Sequence, residues 1–204
     1  MAILAFDIYG TVLDLSSIGI DRSLLKEWRS AQLEMTWRSS LMGLWFDFDE
    51  ITRISLRYAM NKIGLAADEE EILRKWYGMA AYEDSKYICV LGEKHSIYAL
   101  TNGTRRSIEE ALERNGLLRC FKGIYTAENV KKYKPSVEIY GGFLSWIGSG
   151  DAYLVSANPF DISGAKNAGM RAIYINRHGL PIDPLAPPPD HIVTSIADII
   201  NLSI

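Results

Sequence analysis

Asp7 is the first residue of this sequence whose type and position suggest chemistry. It directly follows the apolar run Ile3 to Phe6, and the turn residue Gly10 comes shortly after it. A short apolar run that ends at a glycine indicates a buried strand. Asp7 would then lie at the carboxyl end of that strand, the edge at which open α/β sheets bind ligands. A lone aspartate after a strand is also a common turn or cap residue, so Asp7 indicates a site only if other reactive groups meet it there.

Polar residues also follow three later predicted strands. If the sheet is parallel, the carboxyl ends of its strands meet at one edge, and these residues converge on Asp7. Together they would supply a carboxylate nucleophile, a cation, neutral hydrogen-bond donors and a second acid or base, as a catalytic site requires. The residues are Thr101 and Asn102 after the strand 96–101, Lys134 after the strand 123–126, and Ser156, Asn158 and Asp161 after the strand 152–156.

The elements that must position these residues alternate between helix and strand in the second half of the chain. Strands separated by helical patterns of this kind favour a doubly wound parallel sheet. The predicted fold class is therefore α/β, with a Rossmann-like core formed by residues 1–13 and 83–204. The apolar strand patterns of the second half lie at 96–101, 123–126, 152–156 and 171–175.

Residues 14–82 show only helical patterns and are predicted to form an inserted helical cap. The first of its helices is expected to reach Trp45, and Gly64 is expected to end the second. Because this segment follows the Asp7 strand directly, it is well placed to exclude water from the site. The residues expected to cap the three helices are Asp21, Asp47 or Asp49, and Asp68.

The overall composition excludes several functions. The chain is 48% hydrophobic and 23% charged with a net charge of -3, which gives no basic patch for nucleic acid. Cys89 and Cys120 indicate neither a disulfide framework nor a CxxC metal site, and their redox state stays open. The sequence shows neither a signal-peptide pattern nor an apolar stretch of ~18 residues. We expect a cytoplasmic protein that acts on a small molecule, with neither nucleic acid nor a membrane as a partner.

Four ordered motifs and one predicted helix resemble the haloacid dehalogenase superfamily, and within it the L-2-haloacid dehalogenases. The resemblance covers nearly the whole chain, and five matches in order are more specific than any one of them alone. It implies a Rossmann-like core with a helical cap, as the patterns above also indicate. The motifs are Phe6 to Thr11, Leu100 to Gly103, Lys134-Pro135 with Tyr140, and Ser156 to Asp161, and the helix is Trp28 to Glu34.

Two positions separate the branches of this superfamily. Its magnesium-dependent phosphatases carry a second acid two residues after the nucleophile and two acids in the last motif, where this chain has Tyr9 and Ser156. Magnesium prefers charged oxygen ligands, so we predict neither a metal nor an organic cofactor. A phosphatase that acts through Asp7 and a non-catalytic small-molecule binding protein on the same fold stay open as alternatives.

The dehalogenase interpretation predicts hydrolysis of short L-(S)-2-haloalkanoic acids to D-(R)-2-hydroxy acids and halide. Asp7 would displace the halide at C2 and form an aspartyl ester, which water then hydrolyses. Because only the first step occurs at C2, the configuration inverts. Lys134 would keep Asp7 ionised. Asp161 is the expected partner of Lys134 and a candidate base for the hydrolytic water.

The resemblance also assigns residues to binding and supporting roles. The halide would contact Arg29, Asn102 and Phe160. The substrate would contact Ile8, Tyr9, Arg29, Leu33, Phe48, Thr101, Asn102 and Lys134. Thr11, Arg29, Tyr140, Ser156 and Asn158 would support Asp7, Lys134 and Asp161 in catalysis. The relatives commonly carry Ser, Gln and Trp where this chain has Thr101, Ser30 and Phe160, and Ser30 is expected to shorten one pocket wall.

Several of these residues also have simpler interpretations. Arg29 has the position of an ordinary solvated charge on a helix. Leu33, Phe48 and Tyr140 have the spacing of core residues. The hydroxyls of Thr11 and Ser156 are also typical of turns.

The resemblance implies a homodimer. Trp28, Trp37 and Trp45, which the helical pattern places on one helix, offer apolar surface for it, although packing of the cap on the core explains them equally. The sequence leaves open the physiological substrate, its chain length, the halide preference, the oligomeric state and the group that activates the water.

Overall fold

The computed structural model describes residues 1–185 and 187–204, and its central element is a six-stranded parallel sheet. Every neighbouring pair of strands is parallel, in the order β3-β2-β1-β4-β5-β6. The predicted α/β fold class is thereby confirmed. The strands are β1 (Ile3–Phe6), β2 (Ser96–Thr101), β3 (Gly123–Thr126), β4 (Tyr153–Ser156), β5 (Arg171–Ile175) and β6 (His191–Val193).

The direction in which strands are added reverses beside β1. From β1 the chain adds β2 and β3 on one side of the sheet, and then β4, β5 and β6 on the other. Ligands of doubly wound sheets bind at such a switch point, beyond the carboxyl ends of the strands. Asp7 lies there, and its N–H donates to the carbonyl oxygen of Val155 in β4 at 2.9 Å. The backbone of Asp7 is thus tied to both strands that flank the switch.

The segment 14–82 contains three α-helices: α1 (Arg22–Met42), α2 (Phe48–Ile63) and α3 (Glu69–Tyr77). The side chains of Asp21, Asp47 and Asp68 accept hydrogen bonds from their first-turn N–H groups, which confirms the predicted caps. Gly64 ends α2 as predicted. The prediction that α1 reaches Trp45 is wrong, because Gly43 adopts the left-handed conformation (φ 70°) that ends the helix.

Four further helices flank the sheet. They are α4 (Tyr87–Gly92), α5 (Arg105–Arg114), α6 (Val137–Ile147) and α7 (Pro159–Asn167). Short 3-10 helices lie at Leu15–Ile18, Glu83–Lys86, Leu118–Cys120, Ala127–Asn129 and Ala197–Asn201. Thr104 caps α5 through its side chain, which accepts from the N–H of Ser107. These helices cover the parallel strands, which is why the strands read as continuous apolar runs.

A stack of four aromatic rings packs the α1–α3 segment against the first strand loop. The ring centroids of Trp28 and Trp76 are 4.9 Å apart, those of Trp76 and Tyr9 5.1 Å, and those of Tyr9 and Phe48 5.4 Å. Such pairs stabilise a fold by about 0.5–1.5 kcal/mol each beyond their burial. Trp28 is fully buried in this stack, so it offers no surface to a second copy of the chain.

Cys89 of α4 and Cys120 form a disulfide in the structure. This pairing ties α4 to the segment that leads into β3. In the part of the chain that the structure describes, no helix is long and apolar enough to span a membrane.

Candidate active site

The carboxylate of Asp7 is surrounded by hydrogen-bond donors from four other side chains. Its Oδ2 atom accepts from the hydroxyl of Thr11 at 2.8 Å, from the amide of Asn158 at 2.6 Å and from the hydroxyl of Ser156 at 3.4 Å. Its Oδ1 atom accepts from the ammonium of Lys134 at 3.1 Å. Asp7 is 6% exposed, so these donors replace water around the carboxylate. All five residues were predicted to meet at this edge of the sheet.

Lys134 joins Asp7 to the second acid of the site. Its Nζ atom is 2.8 Å from Oδ2 of Asp161, whose Oδ1 accepts from the hydroxyl of Tyr140 at 2.7 Å. Lys134 and Asp161 are buried. The cluster contains two carboxylates and one ammonium. The single lysine offsets only part of the negative charge of the two acids. Removing either partner of such a buried pair leaves an uncompensated charge.

Burial and charge shift the pKa values of this cluster. Burial alone would lower the pKa of Lys134, but the charges of Asp161 and Asp7 outweigh it and raise that pKa. Burial raises the pKa of Asp161, and the nearby Lys134 opposes this increase. Burial, with the charge of Asp161, also raises the pKa of the Tyr140 hydroxyl well above its ordinary value. Tyr140 is therefore a neutral donor that orients Asp161.

Local backbone geometry explains how these side chains reach Asp7. Gly10 adopts a left-handed conformation (φ 81°), which turns the chain sharply after β1 and brings Thr11 back onto Asp7. The Thr11 hydroxyl also accepts from the N–H of Ala157, so it links the loops after β1 and β4. Asp161 lies in the first turn of α7, where a helix favours a negative charge.

Arg29 approaches the site from α1. Burial lowers the pKa of its guanidinium, while the negative charge of Asp7 acts in the opposite direction. One guanidinium nitrogen, Nη1, donates to Oε1 of Gln32 at 2.6 Å. Arg29 is therefore a partly buried cation that faces the nucleophile rather than an ordinary solvated charge.

Asn102 and Phe160 lie on the two sides of the switch point. Asn102 is 7% exposed, and its Oδ1 atom accepts from the backbone N–H of Lys134 at 2.8 Å. This bond leaves the amide N–H groups of Asn102 as possible donors to a ligand. Phe160 packs edge-on against Trp37 of α1, with ring centroids 5.6 Å apart. Trp37 is thus explained by packing between α1 and the core.

The resemblance assigned Tyr9, Leu33 and Phe48 to an apolar pocket. Phe48 is buried and stacks on Tyr9, and Leu33 of α1 is half-buried. The side chain of Ile8 is fully buried in the core, so only its backbone is left to contact a ligand. Thr101 is also buried, and its hydroxyl accepts from the N–H of Gly103. Thr101 therefore holds the loop after β2 in addition to any contact with substrate.

Two features of the α1–α2 region were missed or misplaced. Ser30 is exposed on α1, so the prediction that it shortens a pocket wall is wrong. Gln32 is completely buried instead and bonds Arg29, and its spacing of three residues from Arg29 on a helix was the available signal. Asp49 was predicted only as a possible cap. In the structure its Oδ2 accepts from the hydroxyls of Thr104 and Ser107, which joins α2 to α5.

A cavity of about 510 Å³ adjoins the site between α1 and the core. Trp37 and Leu41 line it from α1, and Tyr133, Pro135 and Phe160 line it from the core. Phe160 is shared by this cavity and the region around Asp161. Asp7, Lys134 and Asp161 are not among the residues that line this cavity.

The donors around Asp7 do not fit a magnesium ion. Tyr9, at the position where the related phosphatases carry an acid, stacks between Phe48 and Trp76. Ser156 supplies a neutral hydroxyl at the second position. Within residues 1–185 and 187–204, no group of three or more His, Cys, Asp or Glu side chains is arranged to hold a metal ion. Magnesium sites depend on charged oxygen ligands, and two of them are replaced here.

Comparisons with known proteins agree with this geometry. Residues 87–175 match the family model of haloacid dehalogenase-like hydrolases. The chain is 30% identical over 217 residues to haloacetate dehalogenase H-2 of Moraxella sp. (strain B), with 98% of this chain and 96% of the relative covered. It is 29% identical over 214 residues to an (S)-2-haloacid dehalogenase of Pseudomonas fluorescens, with 96% and 93% covered. A solved dehalogenase with an intermediate complex has a TM-score of 0.91 at 28% identity, covering 97% of this chain and 94% of that one.

The chain belongs to the haloacid dehalogenase-like hydrolases. Within that family, the relatives that match it over nearly their full length are dehalogenases of small halogenated acids. The resemblance inferred from the five motifs is thereby confirmed.

Proposed function

We propose that this protein hydrolyses short (S)-2-haloalkanoic acids to (R)-2-hydroxy acids and halide. The observation that carries the proposal is the Asp7 carboxylate, which is buried, ion-paired to Lys134 and held by three neutral donors. A carboxylate fixed in this way, with little water around it, suits attack on carbon. Orientation of two reactants can lower the activation free energy by about 7–11 kcal/mol.

In the first step, a carboxylate oxygen of Asp7 attacks C2 of the substrate from the side opposite the halogen. The new C2–O bond forms as the carbon–halogen bond breaks, and the bonding pair leaves with the halide. The configuration at C2 inverts in this step. We assign the departing halide to Arg29, Asn102 and the edge of Phe160, because a guanidinium, an amide and a ring edge all favour an anion.

In the second step, water attacks the carbonyl carbon of the Asp7 ester. The proton of the water passes to Asp161, whose burial raises its pKa and makes it a stronger base than an ordinary aspartate. The bond between the ester carbonyl carbon and the oxygen attached to C2 then breaks, and that oxygen takes up the proton held by Asp161 to become the hydroxyl of the product. The second proton of the water is released as Asp7 returns to its carboxylate. Because no bond to C2 breaks, the configuration at C2 does not change again. Thr11, Ser156, Asn158 and Lys134 already donate to the Asp7 oxygens, and the same donors would stabilise the negative charge that develops there.

We assign the substrate contacts from the resemblance to the L-2-haloacid dehalogenases. The substrate carboxylate would lie near Thr101, Lys134 and the backbone N–H groups of Ile8 and Tyr9. Its short alkyl group would contact Tyr9, Leu33 and Phe48. Residues 14–82 would act as a cap that closes over these groups.

We further propose that the reaction needs no metal, that the protein acts as a homodimer and that it is cytoplasmic. The metal-independent reaction is supported by Tyr9 and Ser156, which stand where the related phosphatases carry two additional acids. Exposed apolar residues on α2, Ile54 and Tyr58, offer surface for the homodimer.

The decisive test is halide release from (S)-2-chloropropionate in the presence of EDTA, beside the (R) enantiomer and an aryl phosphate. We expect halide from the (S) enantiomer alone, and a loss of at least about 10⁴-fold in Asp7→Asn. Magnesium-dependent phosphate release without any halide would refute the proposal and favour a phosphatase. Binding of the acid without turnover, unchanged in Asp7→Asn, would favour a binding protein.

A further inference from the structure

We propose that Gln32, supported by Thr52, positions Arg29 and thereby sets how strongly the site binds the departing halide. This inference rests on the proposed function, in which Arg29 receives the halide. Gln32 has no direct part in the chemistry, because both ends of its amide bond other protein groups. It is a positioning residue that acts through Arg29.

The first argument is a directional chain of short hydrogen bonds. Nη1 of Arg29 donates to Oε1 of Gln32 at 2.6 Å, and Nε2 of Gln32 donates to the hydroxyl oxygen of Thr52 at 2.6 Å. The Thr52 hydroxyl donates in turn to the carbonyl oxygen of Phe48 at 2.6 Å. The three bonds connect the guanidinium on α1 to the backbone of α2.

This chain determines which way the Gln32 amide faces. The Thr52 hydroxyl has one hydrogen, and it is given to the Phe48 carbonyl. The Thr52 oxygen must therefore accept, so the group of Gln32 that faces it is the NH₂. The oxygen of Gln32 is then left for Arg29. An inverted amide would place a donor against the guanidinium and an acceptor against the acceptor of Thr52.

The second argument is burial. Gln32 and Thr52 are 0% exposed. A buried polar group without a partner costs about 1–3 kcal/mol, so the chain has little freedom to rearrange. The indole N–H of Trp28 also donates to the carbonyl oxygen of Thr52 at 2.9 Å, which fixes α1 against α2 at the same point. Rigid neighbours of this kind hold a catalytic group in one orientation.

The third argument is charge. Gln32 holds the guanidinium through a neutral oxygen, so Arg29 keeps its full positive charge for an anion. A carboxylate at this position would pair with the guanidinium and compete with the halide. Among the described residues, the bond to Gln32 is the one hydrogen bond of the Arg29 side chain, and an arginine has five N–H donors. The other donors are therefore available to a ligand.

The test compares Gln32→Met, Gln32→Glu and Thr52→Val with the wild-type enzyme. Gln32→Met keeps the length of the side chain and removes both polar groups, so the inhibition constant for chloride should rise about tenfold. The value of kcat should fall more with (S)-2-chloropropionate than with the bromo analogue, because chloride is the poorer leaving group. Gln32→Glu should weaken chloride binding further, although it keeps the acceptor. Thr52→Val should show the same changes at smaller size.

Ser39→Ala is the matched control. Ser39 is a buried polar residue of α1 whose hydroxyl bonds only within its own helix, to the carbonyl oxygen of Thr36. The Ser39→Ala variant should leave unchanged both the inhibition constant for chloride and the ratio of kcat for the chloro substrate to kcat for the bromo substrate. Urea unfolding of every variant separates a loss of stability from a loss of halide binding. A Gln32→Met enzyme with lower stability but an unchanged chloride constant would overturn the inference.

Arg29→Met distinguishes this inference from the proposed function. If Arg29→Met raises the chloride constant and Gln32→Met does not, the proposed halide site stands and the positioning role is refuted. If neither the wild type nor any variant releases halide, the proposed function itself fails. If Arg29→Met leaves the chloride constant unchanged, the assignment of the halide to Arg29 fails, and the positioning role fails with it.

Discussion

The two sides of the candidate site are held in different ways. On the core side, the Asp7 carboxylate receives donors from residues that follow β1 and β4 and from Lys134. On the α1 side, Arg29 is oriented by one bond to Gln32. The nucleophile is thus fixed by several independent contacts, whereas the proposed leaving-group cation depends on a single buried amide. This contrast predicts that substitutions on the core side lower both stability and activity. Substitutions on the α1 side are predicted to weaken halide binding first.

Apart from replacement of the nucleophile Asp7 itself, the largest effect is expected from Lys134→Met. It would leave the carboxylates of Asp7 and Asp161 buried without their shared cation, so the free energy of unfolding should fall by about 3–5 kcal/mol. Dehalogenation should fall on the order of 10³-fold, because the same cation orients Asp7. Urea unfolding and halide release measure the two effects.

Lys166→Met is the control for that change. Lys166 pairs with Asp190 at 2.8 Å, the same distance as between Lys134 and Asp161. This second pair is more accessible, with 19% and 29% of the two side chains exposed. Its loss should cost about 0–1 kcal/mol and leave activity unchanged. Equal losses of stability in the two variants would contradict the view that the core side of the site is held by buried charge.

The pH dependence of kcat/KM sharpens the same comparison. Burial raises the pKa of Asp161, so activity should be lost as the pH falls through a value above the ordinary ~3.9 of an aspartate. The charges of Asp161 and Asp7 overcome burial and raise the pKa of Lys134, so activity should be lost as the pH rises through a value above ~10.4. A stopped assay over this range gives both limbs. An acid limb that is unchanged in the residual activity of Asp161→Asn would show that another group controls it.

The smallest effect is expected for Asp49, which joins α2 to α5 away from Asp7. Asp49→Ala removes the acceptor for Thr104 and Ser107, with distances of 2.9 and 2.8 Å, and should lower the free energy of unfolding by about 1–2 kcal/mol. Asp49→Asn keeps one acceptor and should cost less. Chemical unfolding of both variants tests this order. Identical stability in the two variants would mean that the accepted hydrogen bonds contribute nothing.

Much of the fold was predictable because it follows local rules. The strands 96–101, 123–126 and 171–175 have the bounds read from apolar runs, since buried parallel strands are apolar on both faces. The helix starts at Asp21 and Asp68 follow from the need to satisfy free N–H groups. The end of α1 was missed, because a glycine inside an apolar pattern does not reveal whether its backbone will turn left-handed.

The core side of the site was predictable for a related reason. Once the sheet is parallel, the polar residues that end its strands must share an edge, so Asp7, Lys134 and Asp161 were expected to meet. The α1 side was not predictable from spacing alone. Gln32 and Ser30 are both polar residues beside Arg29, and only the rotation of α1 against α2 decides that Gln32 is buried and Ser30 exposed.

The sequence by itself determined the parallel sheet, the caps of the helices and the set of reactive groups at one sheet edge, because periodicity and turn chemistry act over a few residues. The packing of helices on the sheet determined which oxygen of Asp7 receives which donor, and that Gln32 holds Arg29. These contacts join residues that are far apart in the chain, and their geometry depends on how helices and strands pack rather than on local pattern.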